Sequence, residues 1–94
     1  MDHGEIFART TQMREAASAL RSSSARIRES IDVVDFEIRA LGADRYTSVA
    51  AEEFRAQYNR VTPILREVAY KLATFQERLS LAADEIDLAA RPTT

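Results

Sequence analysis

The sequence has 94 residues, 13 basic and 15 acidic side chains, a net charge of −2, two glycines, two prolines and no cysteine. That length fits one small domain. The lack of cysteine excludes disulfides, thiolate catalysis and Cys-rich zinc sites, and the near balance of charge gives no electrostatic basis for binding nucleic acid or an anionic membrane. Abundant Ala, Leu, Arg and Glu with so little Gly and Pro predicts an all-α protein.

The opening segment, MDHGEIFARTTQMREAASALR, lacks the unbroken apolar run of a secretory signal, because Arg9, Gln12, Arg14 and Glu15 interrupt it. No stretch approaches the roughly 20 apolar residues of a membrane-spanning helix. Neither a cleavable signal peptide nor a membrane span is expected, so export would need an unconventional route. His3 is the only histidine and stands close to the terminus without companion ligands. Two glycines cannot build a phosphate-cradling loop. No catalytic residue, cofactor site or metal site is expected.

From Ile6 onward, apolar or small residues recur in alternating steps of four and three: Ile6, Thr10, Met13, Ala17, Leu20, Ser24, Ile27, Ile31, Val34, Ile38 and Leu41. This is a heptad seam along one helix, about residues 5–41. Within it, RSSSARIR at 21–28 supplies small residues that let another helix approach closely. Asp32 and Asp35, with Glu52 and Glu53, read as a solvated face, since the Glu-x-x-His pairs of di-metal bundles are missing.

The periodicity breaks at LGADRYTSVAAEEF, beginning at Leu41. Gly42 can adopt the left-handed conformation that ends a helix, and Ser48 or Thr47 can accept the free amide protons of the next one. Residues of about 42–47 are therefore expected to form a hairpin turn.

A second helix, about 48–90, carries the same alternation at Phe54, Tyr58, Val61, Leu65, Val68, Leu72, Phe75, Leu79, Ala82, Ile86 and Ala89. The phase runs through Pro63, so a kink is expected there and not a break. Folding back would set Glu29, Asp32, Asp35 and Glu37 beside Arg55, Arg60 and Arg66, and Asp84, Glu85 and Asp87 near Arg9. Exposed pairs contribute only about 0–1 kcal/mol each, enough to bias orientation. Further apolar side chains stand off the seams: Phe7, Val33, Phe36, Ile64, Tyr70, Leu81 and Leu88. An antiparallel two-helix hairpin that joins a partner hairpin in a four-helix bundle would cover them. The expected core and interface comprise Ile27, Ile31, Val34, Ile38 and Leu41 of the first helix, with Tyr58, Val61, Leu65, Val68, Leu72, Phe75 and Leu79 of the second.

Two resemblances follow from these residues. IRESIDVVDFEIRALGADR at 27–45 is similar to the first helix of all-helical chorismate mutases, with Arg28 and Arg45 at the spacing of substrate-binding arginines. The lysine that family needs is missing, Gly42 breaks the helix, and little chain remains for further helices. Over nearly its whole length, however, the chain resembles the WXG family of ESAT-like helical hairpins exported by type VII secretion systems. In YTSVAAEEF at 46–54, Tyr46 stands in the Trp place, Ser48 in the Gly place, and Ala50, Ala51 and Phe54 match directly. The turn motif is thus Gly42, Tyr46, Ser48 and Phe54.

That resemblance implies a non-enzymatic secretion substrate, or a co-secreted partner or chaperone. It implies a homodimer or heterodimer with another such hairpin, handled by the type VII machinery and cytoplasmic before export. Many exported members carry Tyr-x-x-x-Asp/Glu near the C-terminus. Here Ile86 and Ala90 occupy those places, which implies a partner that supplies the signal. A cytosolic helical adaptor is the alternative within the binding class, and a chorismate-mutase-like enzyme the alternative outside it.

Overall fold

The computed structural model describes residues 2–41 and 48–91. Two helices account for nearly all of them: α1, His3–Leu41, and α2, Val49–Ala89. At about 1.5 Å per residue each is on the order of 60 Å long. They pack along their length as an antiparallel hairpin measuring 72 × 17 × 17 Å. The direction follows from the crossing contacts, since Arg14 meets Asp84, Ser24 meets Ala69, and Tyr58 meets Ile31.

The caps set the described ends. α1 starts earlier than the periodicity indicated because the Asp2 carboxylate accepts the Glu5 amide at 2.7 Å, satisfying one of the free donors of the first turn. At α2, extended Ser48 accepts the Ala51 amide on its hydroxyl at 3.1 Å. Gly42 and Tyr46 of the expected turn motif lie outside the described residues, as do Arg45 and the side chain of Leu41.

α2 continues through Pro63 as one helix. Proline removes the amide that would have bonded to Asn59. One residue earlier, the Thr62 hydroxyl donates to the Tyr58 carbonyl at 2.7 Å.

The contact between the helices is made by small and polar residues. On α1, Thr10, Ala17, Ser24 and Ile31 are buried, one per heptad. On α2 the buried residues are Ala51, Ala69 and Ala83. Ser24 and Ala69 are almost fully enclosed, and the Ser24 hydroxyl donates to the Ala69 carbonyl at 2.7 Å. A small residue on each helix lets the backbones approach, and the bond satisfies a hydroxyl that would otherwise be buried unpaired at a cost of about 1–3 kcal/mol.

Candidate functional site

The row of α2 that faces α1 is Thr62, Ala69, Gln76, Ala83 and Ala90, which are all buried or half-buried. The larger apolar row read from the sequence as the seam, Phe54, Val61, Val68 and Phe75, lies one residue earlier. One residue is about 100° of helix rotation, so this row turns away from α1. Phe54 is 56%, Val61 49%, Val68 42% and Phe75 52% exposed. Between the two rows stand Tyr58, Leu65, Leu72, Leu79 and Ile86, which straddle the edge of the contact.

α1 is built the same way. Its buried heptad is flanked by Ile6, Met13, Leu20 and Ile27, all half-buried, and by Val34, which is exposed. These flanking rows lie on the same side of the hairpin. Ile27, Ile31 and Val34 of α1 meet Tyr58, Thr62 and Leu65 of α2 in an open groove of about 470 Å³, with Arg26 and Ser30 at its rim. Of the expected core residues whose side chains are among those described, only Ile31 is buried within the hairpin. Ile38, Leu72 and Leu79 are half-buried, and Val34, Val61, Leu65, Val68 and Phe75 remain exposed on this one apolar side. Phe54 stacks on Tyr58 at 6.4 Å between ring centres, extending the apolar side toward the start of α2.

The opposite side carries the ion pairs, together with the exposed rings of Phe7 and Tyr70, which share helix rows with Arg14 and Asp84 and so lie off the apolar side that a single partner would cover. Arg14 bridges Asp84 at 2.9 Å and Asp87 at 2.6 Å, while Arg66 reaches Asp32 at 3.2 Å and Asp35 at 3.9 Å. The expected meeting of the Asp32 and Asp35 pair with Arg66 is present, whereas the partner of Asp84 and Asp87 is Arg14. A side chain at that place points to the polar side, level with the two carboxylates, while Arg9 projects from the other edge of α1. Hydrogen bonds from Arg14 and then Thr10 hold the Asp87 carboxyl below its usual value of 3.8, and the same two carboxylates push the Arg14 guanidinium up. The Tyr58 hydroxyl donates to Asp35 at 2.6 Å, and that bond, helped by partial burial, raises its pKa. These pairs fix the two helices in rotation and level, and so hold the apolar rows on one side.

Exposed area states the consequence. The accessible surface is 7489 Å², against about 5,500 Å² expected for a compact monomer of this mass. The excess of about 2,000 Å² on one chain exceeds the roughly 800 Å² per partner of a standard interface and falls in the range of the larger, obligate ones. The arrangement offers a long apolar face for another elongated molecule. Sequence reasoning identified its side chains by their periodicity but did not identify the Asp2 cap, whose signal was the Asp-x-x-Glu spacing to Glu5.

A search of curated proteins gave no match, and neither did a search of solved structures. Among protein families, the one described as proteins of 100 residues with WXG matches residues 5–87, spanning both helices and the segment between them. Its proteins are non-enzymatic and secreted, and typically dimerise. No helix among the described residues is long and apolar enough to cross a membrane. The match covers most of the sequence and the hairpin agrees with it, so the chain belongs to the WXG100 family, and membership implies a type VII secretion substrate.

Proposed function

We propose that this chain acts as one half of a four-helix bundle, in which a second hairpin of the same kind covers the apolar face and the pair is the unit handled by the type VII system. The observation that carries this reading is the placement of Phe54, Val61, Val68 and Phe75 on the outside of a hairpin whose own contact uses alanine, serine and threonine. A hairpin made to function alone would bury its largest side chains and expose the small ones. The opposite distribution leaves the hydrophobic driving force for association, since burying each such side chain is worth about 1.5–3 kcal/mol. In this role the chain is a secreted substrate or the co-secreted partner of one.

The test is Val68→Asp, examined both in the purified protein and in a type VII-competent host. Burying an unpaired carboxylate costs several kcal/mol, so the variant is expected to lose its partner, keep its helical content and disappear from the culture medium while remaining in the lysate. Undiminished secretion of an unpaired Val68→Asp hairpin would contradict the reading.

A further inference from the structure

A second cleft, of about 380 Å³, opens between Asp35 and Arg39 of α1 and the stretch of α2 from Tyr58 to Arg66. That volume falls within the range of about 300–1,000 Å³ of small-ligand sites. Asp35 shares a helix row with Arg14, Asn59 and Arg66 share one with Asp87, and Pro63 shares one with Asp84. The cleft therefore opens on the side of the ion pairs, and it stays open whatever covers the Phe54 to Phe75 row.

Its charges are unevenly matched. Asp35 Oδ1 takes the Tyr58 hydroxyl at 2.6 Å, and Oδ2 is shared between Arg39 at 3.4 Å and Arg66 at 3.9 Å. Arg66 has a second carboxylate, Asp32, at 3.2 Å. Arg39 has only the shared oxygen, through one nitrogen, and its side chain is 83% exposed. A guanidinium carries five N–H donors in a fork that fits a carboxylate through two parallel bonds, so Arg39 is the cation with donors to spare. It leans back along α1 onto Asp35, the residue that Tyr58 meets across the contact. Its guanidinium thus stands level with Tyr58 and its neighbour Asn59.

At that level α2 offers an open acceptor. Pro63 has no amide to give the Asn59 carbonyl, and both residues line the cleft. One free cation fork and one backbone carbonyl without its helical donor thus border the same space, with the apolar proline ring beside them. A phosphate or sulfate suits this poorly, because it brings no N–H and would set its charge against the Asn59 carbonyl and Asp35. A carboxylate with an N–H on the adjoining carbon suits it well.

We propose that this cleft binds the carboxyl terminus of a peptide. The terminal carboxylate pairs with Arg39, the N–H of the same terminal residue donates to the Asn59 carbonyl, and an apolar terminal side chain lies on the Pro63 ring. The site is independent of the pairing along the apolar face.

The test is an NMR titration of the isotope-labelled full chain with N-acetylleucine, which carries the carboxylate, the N–H and an apolar side chain. Saturable shifts of the amides between Asn59 and Ile64 and of the Arg39 side chain are expected, with a dissociation constant on the order of 1 mM. N-acetylleucinamide is expected to bind about tenfold more weakly, and Arg39→Gln is expected to bring the acid down to the level of the amide. The unsubstituted chain is expected to prefer N-acetylleucine over its N-methyl derivative by about fivefold. Pro63→Ala gives the Asn59 carbonyl its own amide, so in that variant the two are expected to bind alike. A purely structural role for Arg39 or Pro63 would change stability and leave these ratios where they are. The longer acid N-acetyl-alanyl-alanyl-leucine is expected to bind at least as tightly as N-acetylleucine.

Equal binding of acid and amide, ratios unaltered in Arg39→Gln and Pro63→Ala, or shifts confined to the apolar groove would overturn the proposal. So would the lack of any saturable shift at about twenty times the expected constant. Exclusion of the longer acid would overturn a peptide end as the ligand.

Discussion

Ser24 and Ala69 decide how closely the helices approach. Replacing Ala69, which is fully buried against α1, with leucine forces the helices apart and is expected to destabilise the fold by about 1–3 kcal/mol, measured by thermal or urea unfolding. Ser48→Ala removes the acceptor for the Ala51 amide and is expected to cost about 1 kcal/mol in the same assay. The Arg14 cluster makes an acid-side prediction. Because Asp87 is held below 3.8 when folded, its contribution is fully present above that pH and is lost as the pH falls through the lower folded value. Arg14→Ala removes the larger of the two hydrogen bonds that hold Asp87 down and is expected to weaken this part of the acid dependence, visible as melting curves that lose less stability than the parent as the pH falls below 3.8.

Ser48 was legible as a cap because its hydroxyl precedes a helical run, and the same logic applied to Asp2 would have placed the start of α1 at His3. The partner of Asp84 and Asp87 was less legible. Opposite charges brought to the same end of a hairpin do not say which arginine faces them; that depends on helix rotation, and rotation is set by the packing row.

At the scale of the elements, α1 and α2 differ in how plainly their sequences report packing. For α1 the apolar alternation contains the buried heptad, Thr10 to Ile31, directly. For α2 hydrophobic periodicity is weighted toward the largest side chains, whereas a close antiparallel contact selects the smallest, so the row against α1 is the alanine row one residue later. The seam of α2 therefore marks the apolar face that the hairpin leaves exposed, which composition alone could not separate from the internal contact. Phe75→Ala makes the distinction measurable. At 52% exposed in the hairpin, the ring contributes little to the single hairpin, so truncation is expected to leave helicity unchanged and raise the dimer dissociation constant by about tenfold or more in sedimentation. A comparable loss of helicity in dilute, unpaired protein would place Phe75 inside the hairpin instead.

For the whole molecule, a rod 72 Å long and 17 Å across cannot enclose a core of its own. The all-helical class and the hairpin topology were legible because two long heptad patterns flank one break. The family followed from Ala50, Ala51 and Phe54 after that break, and the match over residues 5–87 carries the same assignment. The partner's identity was not legible, because the apolar periodicity that calls for a second hairpin is the same whether that hairpin is a copy or a different chain.

The central claim is that this hairpin is half of an assembly. The most direct measurement is the solution mass of the unmodified protein at micromolar concentration, by light scattering coupled to size exclusion. For a chain of 10.6 kDa, the account predicts a species of about twice that mass, formed by the chain alone or on addition of another hairpin of the family, that dissociates on dilution and is lost in Val68→Asp. A folded, monodisperse species at the mass of one chain, unchanged when other hairpins of the family are added, would contradict it.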